Sequence, residues 1–71
     1  MTPALAAREL FAGAIALASM RGGWTMDDAA RILELGADEL GLRLAAVRPS
    51  AAMHAGDSEA VSIAKAAFLE I

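Results

Sequence analysis

The 71-residue chain is long enough for one domain at most, and its six Lys and Arg against nine Asp and Glu give a net charge of −3. It contains no Cys, which excludes disulfides, thiol nucleophiles and thiolate metal sites. Hydrophobic residues make up 58% of the chain, and no third of it is basic enough to suggest extensive phosphate binding.

The first predicted helix spans residues 3–20. Pro3 suits a first helical turn, where its missing N–H removes no hydrogen bond. Gly13 lies inside this helix and would permit a close helix crossing. The run Arg21-Gly22-Gly23 ends the helix. The apolar stripe of this first helix consists of Leu10, Ala14 and Leu17.

The apolar run of residues 10–20 also resembles the hydrophobic region of a signal peptide. It is too short to span a membrane, and the charged Glu9 directly precedes it. We therefore interpret it as a core helix, with a signal sequence within residues 1–18 as the alternative.

The second predicted helix spans residues 26–35. Thr25 is a good N-cap, and Asp28 three residues later completes a capping box. Trp24 stands where a hydrophobic staple residue belongs, packed on the start of the helix. Gly36 is a helix C-terminal signal.

The third predicted helix spans residues 38–47, with Asp38 as its N-cap and Leu42 half-buried beside the inner face. Pro49 disfavours a helical Arg48 and ends the helix. The inner face consists of Leu40, Leu44 and Val47.

After a connector at residues 49–56, a fourth helix is predicted at residues 58–70, capped by Asp57. Its apolar stripe consists of Val61, Ala64, Phe68 and Ile71. We therefore predict a single all-α domain over residues 1–71, a compact bundle of four short helices. The second and third helices form a helix-turn-helix-like hairpin that crosses steeply at Gly36.

Catalysis finds little support in the sequence. His54 is the only His, and we interpret it as an exposed loop residue. The acid pairs Asp27-Asp28 and Asp38-Glu39 lie in helix first turns, where they complement the helix dipole. Adjacent helical positions do not face one another, so neither pair forms a two-carboxylate site. We expect no enzyme, no metal site and no cofactor.

The stretch "DDAARILEL" resembles the first helix of the helix-turn-helix in small bacterial and phage DNA-binding regulators, and "DELGLRLAAV" resembles the recognition helix. Ala30 stands where the two helices cross, and Leu33 and Leu35 flank the turn. Glu34 replaces the usual Gly, and Arg43 falls at a usually apolar position. The resemblance covers about 25 residues.

The resemblance implies a transcription regulator that binds duplex DNA, with Arg31, Arg43 and Arg48 on phosphates or bases. The residues themselves leave an alternative open. A recognition helix contacts DNA with its N-terminal residues, which here are Asp38 and Glu39, and phosphates repel both. The alternative is an acidic helical protein-interaction module, such as a dimeric adapter or a small phage-type inhibitor. Arginines clustered on one face favour DNA, and dispersed arginines favour a protein partner.

We also predict a homodimer, located in the cytoplasm and not associated with a membrane. The apolar faces of the first and last helices exceed what a three-helix core can cover. The predicted interface residues are Leu10, Phe11, Trp24, Leu42 and Phe68.

Overall fold

The computed structural model describes residues 2–70, and every regular element within them is an α-helix. The all-α prediction is confirmed. There are five helices in this range, one more than predicted: α1 Pro3–Ala18, α2 Met26–Ile32, α3 Ala37–Val47, α4 Pro49–Ala52 and α5 Ser58–Leu69.

Side-chain caps begin two of the helices as predicted. The Thr25 hydroxyl accepts a hydrogen bond from the Asp28 backbone N–H at 3.3 Å, and the Asp28 carboxylate accepts one from the Thr25 N–H at 2.8 Å. The capping box of α2 is therefore complete. At α5, the Asp57 carboxylate accepts from the Ala60 N–H at 3.1 Å.

Several predicted boundaries are wrong by one to three residues. α1 ends at Ala18, and the chain then turns toward α2 with Gly23 at φ +73°, a conformation that glycine adopts without strain. α2 ends at Ile32, because the next three N–H groups donate to carbonyls only three residues back. α3 begins at Ala37 with Gly36 as its N-cap, in place of the predicted Asp38.

The predicted connector contains the extra helix. Arg48 leaves the helical conformation at φ −152° and ψ 83°, as expected for a residue before proline. Pro49 then starts α4, since a first helical turn needs no N–H from it. The Arg48 carbonyl accepts from the N–H of Ala51 at 2.9 Å, which closes the first turn of α4.

α1 is the central helix, as the core-helix interpretation predicted. It packs on every other helix, most extensively on α5. At Gly13 an added Cβ would lie 2.6 Å from Leu44 Cδ2 and 2.9 Å from Ala51 Cβ, which confirms the predicted close approach. The largest fully buried side chains are Leu10, Leu33, Leu40 and Leu44.

Two apolar residues, Leu42 and Val61, differ from their predicted environment. Leu42 is 76% exposed rather than half-buried, because it points away from the side of α3 that packs on α1 and α4. In α5, Ala60 takes the fully buried position and Val61 is only partly covered. Ile71, the last residue of the predicted stripe, lies outside the described residues.

α2 and α3 follow one another across residues 33–36 but make little direct contact. α2 packs on α1 and α5, whereas α3 packs on α1 and α4. A groove therefore opens between the C-terminal end of α1, α2 and α3. Within residues 2–70, no helix has the length and apolar character needed to cross a membrane.

Candidate interaction surfaces

Arg48 is bound to another part of the chain. Its Nε donates to Glu9 Oε1 at 3.1 Å and its Nη2 to Glu9 Oε2 at 3.2 Å. The Ser50 hydroxyl donates to the same Oε1 at 2.6 Å. The carboxylate of α1 thus receives three hydrogen bonds from the α3–α4 corner.

These contacts shift the ionisation of both partners. The hydrogen bonds from Arg48 and then from Ser50 hold the pKa of Glu9 below its ordinary value of 4.5. The same hydrogen bonds, which Arg48 donates to Glu9, raise the pKa of Arg48. The pair is therefore charged at neutral pH, and an external phosphate would have to compete with Glu9 for the guanidinium.

Arg43 and Arg31 are more accessible. Arg43 Nη2 lies 3.6 Å from Glu39 Oε1 one turn earlier on α3, and both side chains are more than half exposed. Exposed pairs of this kind contribute little and open readily. Arg31 is exposed on the last turn of α2.

Both side chains line the groove between α1, α2 and α3. Its volume is about 600 Å³, and a third arginine, Arg21, lies at its edge. We call this surface the arginine groove. It is lined by Leu17, Ala18, Met20, Arg21, Asp28, Arg31, Ile32, Leu35, Arg43, Ala46 and Val47.

The lining of the arginine groove is positively charged although the chain is acidic. Three arginines stand there against Asp28, giving +2 on a chain with a net charge of −3. The hydrogen bond from the Thr25 backbone N–H is the main cause that lowers the pKa of Asp28, and Arg21 and Arg31 lower it further. Asp28 is therefore ionised at neutral pH, and its single negative charge offsets only one of the three arginines.

The structure thus brings together two of the three arginines predicted to bind DNA. Arg31 and Arg43 share the groove, whereas Arg48 is held by Glu9 and is not part of the lining. Arg21 joins the first two, and it was interpreted only as part of a helix stop. The signal that could have identified Arg21 is a cation three residues beyond the end of an apolar helix.

Two predicted interface residues lie in the core of the chain itself. Leu10 is fully buried and Phe68 is 2% exposed, so neither is available to a partner while the fold is intact. Phe11 stacks on Phe68 with ring centroids 4.1 Å apart and planes within 10°. The apolar faces of α1 and α5 cover each other, which removes the reason for placing them at a dimer interface.

The other predicted interface residues remain at the surface to different degrees. Trp24 is half-buried against the core, in agreement with a staple at the start of α2. Leu42 and Met53 are each 76% exposed beside a shallow depression of small residues. We call this surface the Leu42 patch, and it comprises Ala37, Asp38, Gly41, Leu42, Ala45, Ala52, Met53, Ala55 and Gly56.

His54 is partly buried rather than exposed as predicted. Its Nε2 is enclosed and has no hydrogen-bond partner within the part of the chain that the structure describes. His54 lies within electrostatic range of Glu9, whose carboxylate is already engaged by Arg48 and Ser50. Residues 2–70 hold no group of three or more His, Asp or Glu placed to bind a metal ion.

No family model matches the chain, and neither the curated proteins nor the solved structures give a significant match. The geometry of the two surfaces is therefore the basis for the functional argument.

Proposed function

We propose that the chain is a helical protein-interaction module that binds a partner through the arginine groove. The observation that carries the proposal is the combination of an apolar floor with exposed arginines at its edge. Leu17, Ile32 and Leu35 are only partly covered by the chain's own core. A partner that covers their remaining apolar surface removes it from water, and this burial stabilises the complex.

Phosphates are a poorer match for this surface. A sugar–phosphate backbone is attracted by positive charge, but it has little apolar surface with which to cover the apolar floor of the groove. The first turn of α3 presents the exposed carboxylates of Asp38 and Glu39. Arg48, the most C-terminal of the predicted DNA contacts, is held by Glu9.

DNA binding stays as a second candidate because of one observation. Arg21, Arg31 and Arg43 line the same groove, and clustered arginines are the arrangement that DNA binding requires. A duplex placed across it would meet three positive side chains per protomer. Affinity for DNA would then fall steeply with salt as counterions are released.

A photocrosslinking residue at position 46 tests the proposal. Ala46 is exposed on α3 and lines the arginine groove, whereas its neighbour Ala45 is exposed and lines the Leu42 patch. In cells that make the protein, position 46 should give a discrete protein adduct that Arg31→Glu abolishes. Position 45, on the same helix but outside the groove, should not give this adduct, and the only protein that it captures should be a second copy of the chain.

The competing outcomes are distinct. An absent protein adduct at position 46, together with salt-sensitive binding of fluorescent duplex DNA by the purified chain, would replace the proposal with DNA binding. Loss of that DNA binding in Arg43→Ala would place the contact in the groove.

We also propose that the chain forms a homodimer through the Leu42 patch. Leu42 and Met53 project beside a depression lined by small side chains, so one surface offers both a projection and a recess. A two-fold interface uses the same patch on both subunits and needs that self-complementarity. Apart from Asp38 the patch is uncharged, so two copies meet little repulsion.

A further inference from the structure

We propose that the partner segment bound by the arginine groove is an acidic amphipathic peptide, a more specific inference that rests on the proposed function. Its apolar side chains would contact Leu17, Ile32 and Leu35, and its carboxylates would pair with Arg21, Arg31 and Arg43.

Where α1, α2 and α3 meet, apolar side chains of the arginine groove remain partly uncovered. Apart from α1, which both contact, α2 packs on α5 and α3 packs on α4, so the side chains between α2 and α3 are covered from one side only. Ile32, Leu35 and Val47 each remain intermediate between buried and exposed. An amphipathic helix places apolar residues at i, i+3, i+4 and i+7, which is the pattern that fills such a groove.

The positive charge of the arginine groove favours an acidic peptide. The groove carries +2 while the charge of the whole chain is −3, so the rest of the surface repels an acidic peptide and the groove attracts it. This contrast steers a partner to one place and suppresses other binding orientations. Arginine also pairs with carboxylates in a bidentate geometry, which adds specificity to the attraction.

The openness of the groove favours a peptide over a small anion. Small-molecule sites usually enclose most of their ligand. Here Met20, Arg21, Arg31, Arg43 and Ala46 are all exposed, so the groove is open along its edge. A small anionic amphiphile would stay largely in water, whereas a peptide extends along the groove and buries more surface.

Three synthetic peptides with the same leucine positions test the inference with the intact chain. The first carries Glu on its polar face, the second Lys and the third Gln, and each is labelled for fluorescence anisotropy. The Glu peptide should bind at low salt at least about tenfold more tightly than the Gln peptide, and the Lys peptide should bind more weakly still. Backbone amide shifts should map the contact to α2, α3 and the end of α1.

A charge exchange supplies the matched control. In the double variant Arg31→Glu/Arg43→Glu, the Glu peptide should lose its advantage and the Lys peptide should gain affinity. Both residues are exposed, and the circular dichroism of the variant should match that of the wild type. Ala46→Glu should weaken binding of the Glu peptide, whereas Ala66→Glu, at an exposed position of α5 outside both surfaces, should leave that binding unchanged.

The two proposals fail differently. Equal binding of the Glu and Gln peptides in the groove would overturn the acidic specificity and leave protein binding intact. Absence of any peptide shift in the groove, joined to an absent adduct at position 46, would overturn both. Preference for dodecanoate or for duplex DNA over the Glu peptide would assign the groove to an anionic amphiphile or to nucleic acid.

Discussion

Arg48 and Glu9 form a bidentate ion pair that joins the α3–α4 corner to the middle of α1, with N–O distances of 3.1 and 3.2 Å. The chain turns at Arg48 without a glycine, because φ −152° is an extended backbone conformation that any residue adopts. The arginine leaves the helix because Pro49 follows it, and its guanidinium then reaches the carboxylate of the central helix. A residue that resembled a DNA contact in the sequence is a structural contact in the fold.

Acid should weaken the fold partly through this pair. Because the pKa of Glu9 is lower in the folded chain than its ordinary value of 4.5, the folded state favours the ionised form. The resulting stability is complete above pH 4.5 and is lost as the pH falls through the lower, folded-state pKa.

Urea unfolding of wild type and Glu9→Gln across this pH range checks the expectation. The variant should be less stable at neutral pH, and the difference should shrink as the solution becomes acidic. Glu59→Gln, at an exposed position in the first turn of α5, is the control. A constant difference at all pH values would contradict the assignment to Glu9.

Two glycines should respond in opposite directions to alanine. Gly13→Ala should destabilise by about 1–3 kcal/mol, because the new methyl overpacks a buried site against Leu44 and Ala51. Gly41→Ala should stabilise by up to about 1 kcal/mol, since helix propensity improves. There the nearest atom, Ala55 Cβ, is at an ordinary 3.6 Å. Thermal unfolding measures both, and a Gly13→Ala variant at least as stable as the wild type would contradict the packing at Gly13.

Leu10 should behave as a core residue and not as an interface residue. Leu10→Ala should cost about 2–5 kcal/mol, because it removes a fully buried side chain and leaves a cavity. Leu69→Ala, at a position 67% exposed, should change stability by less than about 0.5 kcal/mol. Unfolding at several protein concentrations separates this loss from a loss of dimer, since only a dimer effect depends on concentration.

Leu42→Glu should dissociate the proposed homodimer without unfolding the chain. The side chain is 76% exposed in the single chain, so a charge there is tolerated until two copies meet. Ile63→Glu, on the exposed side of α5, is the matched control and should leave the dimer intact. Sedimentation velocity at micromolar concentration measures both, and a monomeric wild type would refute the dimer.

Local signals in the sequence account for most of the fold. The caps at Thr25 and Asp57 and the stop before Pro49 depend on residues within a few positions of each other, so their geometry was predictable. α4 was missed because proline both ends one helix and starts the next. Pro49 can start α4 only when the Arg48 carbonyl is positioned to accept the first hydrogen bonds of the new helix, and that position depends on the tertiary fold.

The candidate surfaces were less predictable because they depend on which helices are neighbours. Arg31 and Arg43 share a groove only because α2 and α3, which both contact α1, pack on different second helices. The Arg48 side chain is bound by Glu9, which lies 39 positions away in sequence. Phe68 is hidden by Phe11 across the α1–α5 contact. None of these three relationships has a signature in local periodicity.

The stacking of Phe11 on Phe68 has a consequence for how the chain is made. A ribosome releases the N-terminal helix first, and that helix must wait for the final one before its main apolar face is covered. Folding is therefore completed only after nearly the whole domain has been synthesised. During that interval the main apolar face of α1 is open to water, and a chain interrupted before residue 58 lacks α5, the helix that covers it.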